Sequence, residues 1–217
     1  MADIHGAIFD LDGTLFDSMP IYDTVTADML RDLGYAPRAE LREQVRSLSG
    51  MQVLEHMRRE YNTRETAEEL ESELDRRLYD FYAHTAPLKP GVPRLLEALK
   101  SRGIPMAVAT ATNRIHVEAA LERTGIAQYF KRVFTCSEER TGKTDPKIFL
   151  TAAEFLGSKP EETLVFEDAI HAVRSAVGAG FRVIAVRDAA EENNREEMKA
   201  LAERYLDTLE DFELELR

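Results

Sequence analysis

Five short apolar runs rich in Val, Ile and Phe read as buried strands: Ile4–Phe9, Pro105–Ala109, Arg132–Cys136, Thr163–Phe166 and Phe181–Val186. A weaker sixth lies at Arg204–Leu206. Helical stripes lie among them, at Leu95, Leu96 and Leu99 and at Ile115, Ala119 and Leu121. Strand–helix alternation of this kind predicts an α/β fold, a parallel sheet covered by helices on both faces.

The spacing is uneven. Roughly 90 residues separate the first two strands, far more than one strand–helix–strand crossover needs. That interval carries helical patterns at Ile21–Leu33, Ala39–Leu48, Met51–Tyr61 and Thr63–Tyr82, the last with Ala67, Leu70, Leu74, Leu78 and Phe81 on one face. Asn62 with Glu65 has the spacing of a helix cap at its start. Residues 17–86 are therefore expected to form an all-helical domain inserted into a core made of residues 1–16 and 87–217. "APLKPGVP", residues 86–93, reads as a proline-rich return linker. Hinges are expected near Asp17–Pro20 and His84–Pro90. "RSLSGM", residues 46–51, interrupts a helix and is a candidate to face a cleft, with Arg46, Arg58 and Arg59 as candidate anion contacts.

Polar residues follow the strands in a consistent place. Asp10 and Asp12 come after "AIF", Thr110 after "MAVA", Glu167 and Asp168 after "LVF", and Lys143 in the loop after "RVFTC". Ligands of open parallel sheets bind at that carboxyl edge. Asp10 and Asp12, two apart on an extended chain, point to the same side, and Gly13 lets the backbone turn. Two carboxylates about 4 Å apart repel by roughly 4 kcal/mol at an effective dielectric near 20. Four at one edge need a cation, and all-oxygen donors with no neighbouring His or Cys favour Mg²⁺ over zinc. A metal, a carboxylate nucleophile, a lysine and a hydroxyl suit phosphoryl transfer, with the second aspartate moving protons. "TGKT", residues 141–144, is not a P-loop, because Ser137 stands where that motif needs its first glycine.

Composition narrows the partners. A formal charge of −12 over 217 residues argues against generic nucleic-acid binding. The absence of a long apolar run or a leader at Met1 predicts a chain off the membrane and unexported. The single cysteine, Cys136, fits a reducing cytoplasm. The expected partner is a small phosphorylated metabolite, and the chain is expected to act as a monomer, with a dimer as the alternative.

"FDLDGTLFDS", "AVATAT", "GKTDPKIF" and "LVFEDAIHAV" resemble, in order, the four motifs of haloacid dehalogenase-like hydrolases, in the β-phosphoglucomutase and phosphoglycolate phosphatase branch. The resemblance implies a Rossmann-like core with a helical cap after strand one. It implies a phosphoaspartate at Asp10 and acid–base chemistry by Asp12. Thr110, Ala111 and Lys143 would bind the phosphoryl group. Asp10, the Asp12 carbonyl, Glu167 and Asp168 would hold Mg²⁺. Thr144, Lys147, Ala169 and Ala172 depart from the family pattern, which puts proline, an acidic residue, Ser and Gly at those places. Lys147 is the departure able to alter the local field.

Asp12 speaks against the family's metal-independent dehalogenases, which lack the second aspartate. The insert, without a lysine between Phe16 and Pro87, offers no imine nucleophile for phosphonatase chemistry. Tyr22 and Val53 stand near the places where mutases carry a histidine and an arginine. The expected function is a Mg²⁺-dependent phosphatase of small phosphate monoesters. The alternatives are a sugar-phosphate mutase and a non-catalytic ligand-binding member.

Overall fold

The structure, a computed structural model, describes residues 4–45 and 50–213. Six parallel strands make one sheet: β1 (Gly6–Phe9), β2 (Met106–Thr110), β3 (Phe130–Thr135), β4 (Thr163–Glu167), β5 (Arg182–Val186) and β6 (Arg204–Leu206), in the order β3-β2-β1-β4-β5-β6. β1 sits in the middle, and Phe9 is level with Val108 on one side and Phe166 on the other. Because β1, β2 and β4 are buried along their whole length, their sequences are near-continuous apolar runs rather than alternating ones. Phe9 and Phe166 stack at 4.4 Å between ring centroids.

Two strands run one residue further than the apolar pattern indicated. Thr110 and Glu167 are the last residues of β2 and β4, and both are buried. β3 is displaced the other way: it begins at Phe130 and stops at Thr135. Cys136 instead opens a short helix.

The contacts divide the chain into two compact units, Met1–Asp17 with Ala86–Arg217, and Ser18–Thr85. The helical insertion lies within the gap expected from the strand spacing. Asp17 and Ala86, assigned to the insert from sequence, cluster with the sheet unit. The Asp17 N–H donates to Pro87 O at 2.9 Å, and the Lys89 N–H to Leu15 O at 2.9 Å. Leu88 also forms an antiparallel bridge with Phe16. The segment read as a plain linker is therefore an ordered strand-like pair followed by a helix.

The insertion contains α1 (Met19–Asp32), α2 (Leu41–Val45), α3 (Gly50–Tyr61) and α4 (Ala67–His84). Residues 46–49, which include most of "RSLSGM" and Arg46, lie outside the described residues. Met29, Leu30, Leu41, Val45, Leu54, Met57 and Leu70 form this unit's own core. α4 starts four residues later than its pattern suggested. Thr66, not Asn62, is its cap: Thr66 Oγ1 accepts from the Glu69 N–H, and Glu69 Oε2 accepts from the Thr66 N–H at 2.8 Å. Asn62 has a φ of +47° just past the end of α3, and Glu65 accepts from the Tyr35 hydroxyl at 3.0 Å. Both pairs have the spacing of a capping box, and packing decides between them.

In the sheet unit, α5 (Val92–Ser101), α6 (Arg114–Arg123), α7 (Cys136–Glu139), α8 (Lys147–Leu156), α9 (Ile170–Gly178) and α10 (Arg195–Leu201) complete the α/β alternation. The apolar faces of α8, α9 and α10 meet the strands in a core that includes Ile8, Ala107, Phe134, Phe149, Val165, Val173 and Val183. Every helix that follows a strand here begins near the same sheet edge, which leaves that edge lined by loops.

Candidate active site

Asp10 is the first residue past β1, and its N–H donates to Phe166 O at 3.0 Å. That bond extends the sheet by one step and holds Asp10 beside Glu167, the last residue of β4. The chain then turns tightly: the Leu15 and Phe16 N–H groups both donate to Leu11 O, and the Gly13 N–H to Phe16 O. Leu11 is buried while Asp12 is partly open. Gly13 has a φ of +75°, and a Cβ there would lie 2.1 Å from Asp168 Oδ2. The turn that aims the two aspartates thus depends on an absent side chain.

Lys143, buried, donates to both Asp10 Oδ1 and Glu167 Oε1, the latter at 2.5 Å. Asp10, Glu167 and Asp168 each offer an oxygen within 4.8 Å of the others'. Thr14 Oγ1 donates to Asp168 Oδ1 at 3.2 Å, and Glu167 Oε2 accepts from the Ala169 N–H at 3.0 Å. The sequence-predicted Asp10, Lys143, Glu167 and Asp168 are therefore together. Asp12 differs: its carboxylate is outside the three-carboxylate group, and its Oδ2 accepts from Thr112 Oγ1 at 2.5 Å. Thr110 is buried at the end of β2, and its Oγ1 accepts from the Thr112 N–H at 3.0 Å. Ala111 is exposed between them.

Burial and crowding perturb this cluster. Burial raises Asp10 to about 7, opposed by Lys143 and reinforced by the Glu167 and Asp12 charges. Burial also pushes Asp168 well above the usual carboxylate range, with Glu167 and Asp10 adding to the shift. For Lys143, burial works against the ammonium, but the Asp10 and Glu167 carboxylates outweigh it and hold its pKa above the ordinary lysine value. Three carboxylates against one ammonium leave a deficit of positive charge, and all the donors are hard oxygens. A divalent, oxygen-seeking cation fits that donor set.

Three residues here escaped the sequence reading. Thr14 and Thr112 carry no spacing signal of their own, because each acts by meeting a residue about a hundred or more positions away. Asp188 was legible: it follows the apolar run of β5 just as Asp168 follows β4. Asp188 is buried, accepts from Lys89 Nζ at 2.9 Å, and adds to the charge acting on Asp168. Lys147, expected to alter the field, is exposed and donates to Glu139 O at 2.6 Å, holding the end of α7.

Residues 4–180 match the haloacid dehalogenase-like hydrolase family. The chain belongs to that family. Among relatives of this haloacid dehalogenase-like hydrolase, hexitol phosphatase A of Escherichia coli is 31% identical, over 86% of this chain and 84% of its own. The phosphorylated carbohydrates phosphatase of Thermotoga maritima is 26% identical, over 83% and 84% of the two chains. Among solved structures, CbbY from Rhodobacter sphaeroides, in complex with phosphate, superposes with a TM-score of 0.79 at 25% identity, covering 96% of each chain. Among the described residues, no helix is long and apolar enough to cross a membrane.

Proposed function

We propose that this hydrolase is a magnesium-dependent phosphatase of small phosphate monoesters, working through an aspartyl-phosphate at Asp10. The observation that carries the reading is the meeting of Asp10, Glu167 and Asp168 with Lys143 at the sheet's carboxyl edge. Asp10, Glu167 and Asp168 would hold Mg²⁺, with the Asp12 backbone carbonyl as a further ligand. When bound, the ion supplies positive charge against the phosphoryl oxygens.

This chain's residues do the rest. The Asp10 carboxylate attacks phosphorus, and the ester P–O bond breaks. Asp12 gives its proton to the departing oxygen, then takes one from the water that attacks the aspartyl-phosphate. The Asp10–phosphorus bond then breaks, so that ester and water become alcohol and inorganic phosphate. Lys143 and Thr110, with the backbone at Ala111, hold the phosphoryl oxygens. The names of the two relatives support a phosphorylated sugar or polyol as the substrate class, and the helical insertion would act as its selective cap.

The test is phosphate release from a panel of small phosphate esters, with Asp10→Asn as the blank and excess chelator as a second arm. Turnover by wild type that both treatments abolish is the expected result. Full turnover by Asp10→Asn removes the nucleophile assignment, and turnover unaffected by chelator removes the metal. Isomerisation of a sugar phosphate with little phosphate release would replace this reading by a mutase. Tyr22 and Val53 count against that outcome.

A further inference from the structure

We infer that Thr112 is a positioning residue for proton transfer, orienting both the acid–base carboxyl and the phosphoryl-binding hydroxyl. The inference deepens the phosphatase reading and rests on it. Thr112 lies just past β2 and makes two bonds of different kinds. Its hydroxyl donates to Asp12 Oδ2 at 2.5 Å, and its backbone N–H donates to Thr110 Oγ1 at 3.0 Å.

A hydroxyl has one hydrogen, so a Thr112 O–H spent on Asp12 is unavailable to substrate. A proton on Asp12 Oδ2 would face that hydrogen, so the exchangeable proton is carried on Oδ1. Thr110 Oγ1 accepts from the backbone, which directs its own hydrogen away from Thr112 and leaves it to donate to a phosphoryl oxygen. One residue thereby sets the direction of two proton-bearing groups, one in the turn after β1 and one at the end of β2. General acid–base steps contribute about 10²–10⁴-fold, and they require the acid within hydrogen-bond reach of the leaving oxygen.

The balanced step concerned is the first one: the Asp10–phosphorus bond forms, the ester bond breaks, and the Asp12 proton moves to the leaving oxygen. An alkyl alkoxide needs that proton. A nitrophenolate leaves readily without it. Thr112→Val keeps the side-chain shape and removes the hydroxyl, and Thr112→Ala is a second removal should valine disturb folding.

The experiment measures kcat/KM for glycerol phosphate and for p-nitrophenyl phosphate, with Thr112→Ser as the conservative variant. Expected is a loss of about 10–100-fold on the alkyl ester, a loss several-fold smaller on the aryl ester, and recovery of the alkyl activity in Thr112→Ser. Equal losses on both esters, no loss on either, or failure of serine to restore activity would overturn the inference while leaving the phosphatase reading intact. A wild-type protein that hydrolyses neither ester, or an Asp10→Asn protein that hydrolyses both, would overturn the phosphatase reading and this inference with it.

Discussion

Replacing Asp10 by asparagine is expected to abolish turnover and yet make the metal-free protein more stable. Asparagine imitates the protonated carboxyl without its charge. Folding moves the Asp10 pKa from its ordinary 3.8 up to about 7, with burial as the main cause. Below pH 4 the folded and unfolded carboxyls are both protonated, and the group costs nothing. Between pH 4 and 7 the unfolded carboxyl ionises while the folded one keeps its proton, so stability is lost as pH rises. Above 7 both are ionised and the loss is complete.

At about 1.4 kcal/mol per pH unit, the interval from 3.8 to about 7 sets a ceiling of about 4 kcal/mol. Structural relaxation and water penetration reduce such penalties, which leaves about 1–3 kcal/mol as the expected gain. The assay is urea unfolding followed by circular dichroism, in chelator, at pH 5, 6, 7 and 8. The advantage of Asp10→Asn should grow from pH 5 to 7 and then level off. In millimolar Mg²⁺ the ion should stabilise wild type by about 3 kcal/mol at a hundredfold excess over Kd, and the variant by less. An advantage that stays constant across pH, or a variant less stable than wild type in chelator at pH 8, would refute the assignment of a destabilising buried charge to Asp10.

Gly13→Ala forces an L side chain to a φ of +75° and drives its Cβ into the Asp168 carboxylate. A cost of about 2–4 kcal/mol follows, with loss of Mg²⁺ stabilisation, and a wild-type urea midpoint would contradict it. Lys89→Met leaves Asp188 buried without its ammonium partner and should cost about 3–5 kcal/mol. The double variant Lys89→Met, Asp188→Leu should lose less than the single one, as a double-mutant cycle would measure. Thr66→Ala removes one side of the capping box on α4. It should lower stability by about 1 kcal/mol, read as a shift in the urea midpoint, while kcat for p-nitrophenyl phosphate stays within about twofold.

The chain's pattern determined the alternation of strands and helices and the place of the helical insertion. It also determined the edge where Asp10, Lys143, Glu167 and Asp168 belong. These follow from local rules: a fully buried strand must be a continuous apolar run, and a polar residue just past it falls at the strand's end. The choice of Thr66 over Asn62 as the cap of α4 was open in the sequence, since both have a glutamate three residues on. The Lys89–Asp188 pair and the contacts of Thr14 and Thr112 were settled only when the parallel sheet set β2 and β4 beside β1, and β5 beside β4. A hydrogen bond between residues 12 and 112 leaves no periodicity for a reader of the sequence to find. The tertiary structure also decided the charge state of the site, because burial, not residue type, raises Asp10 to about 7.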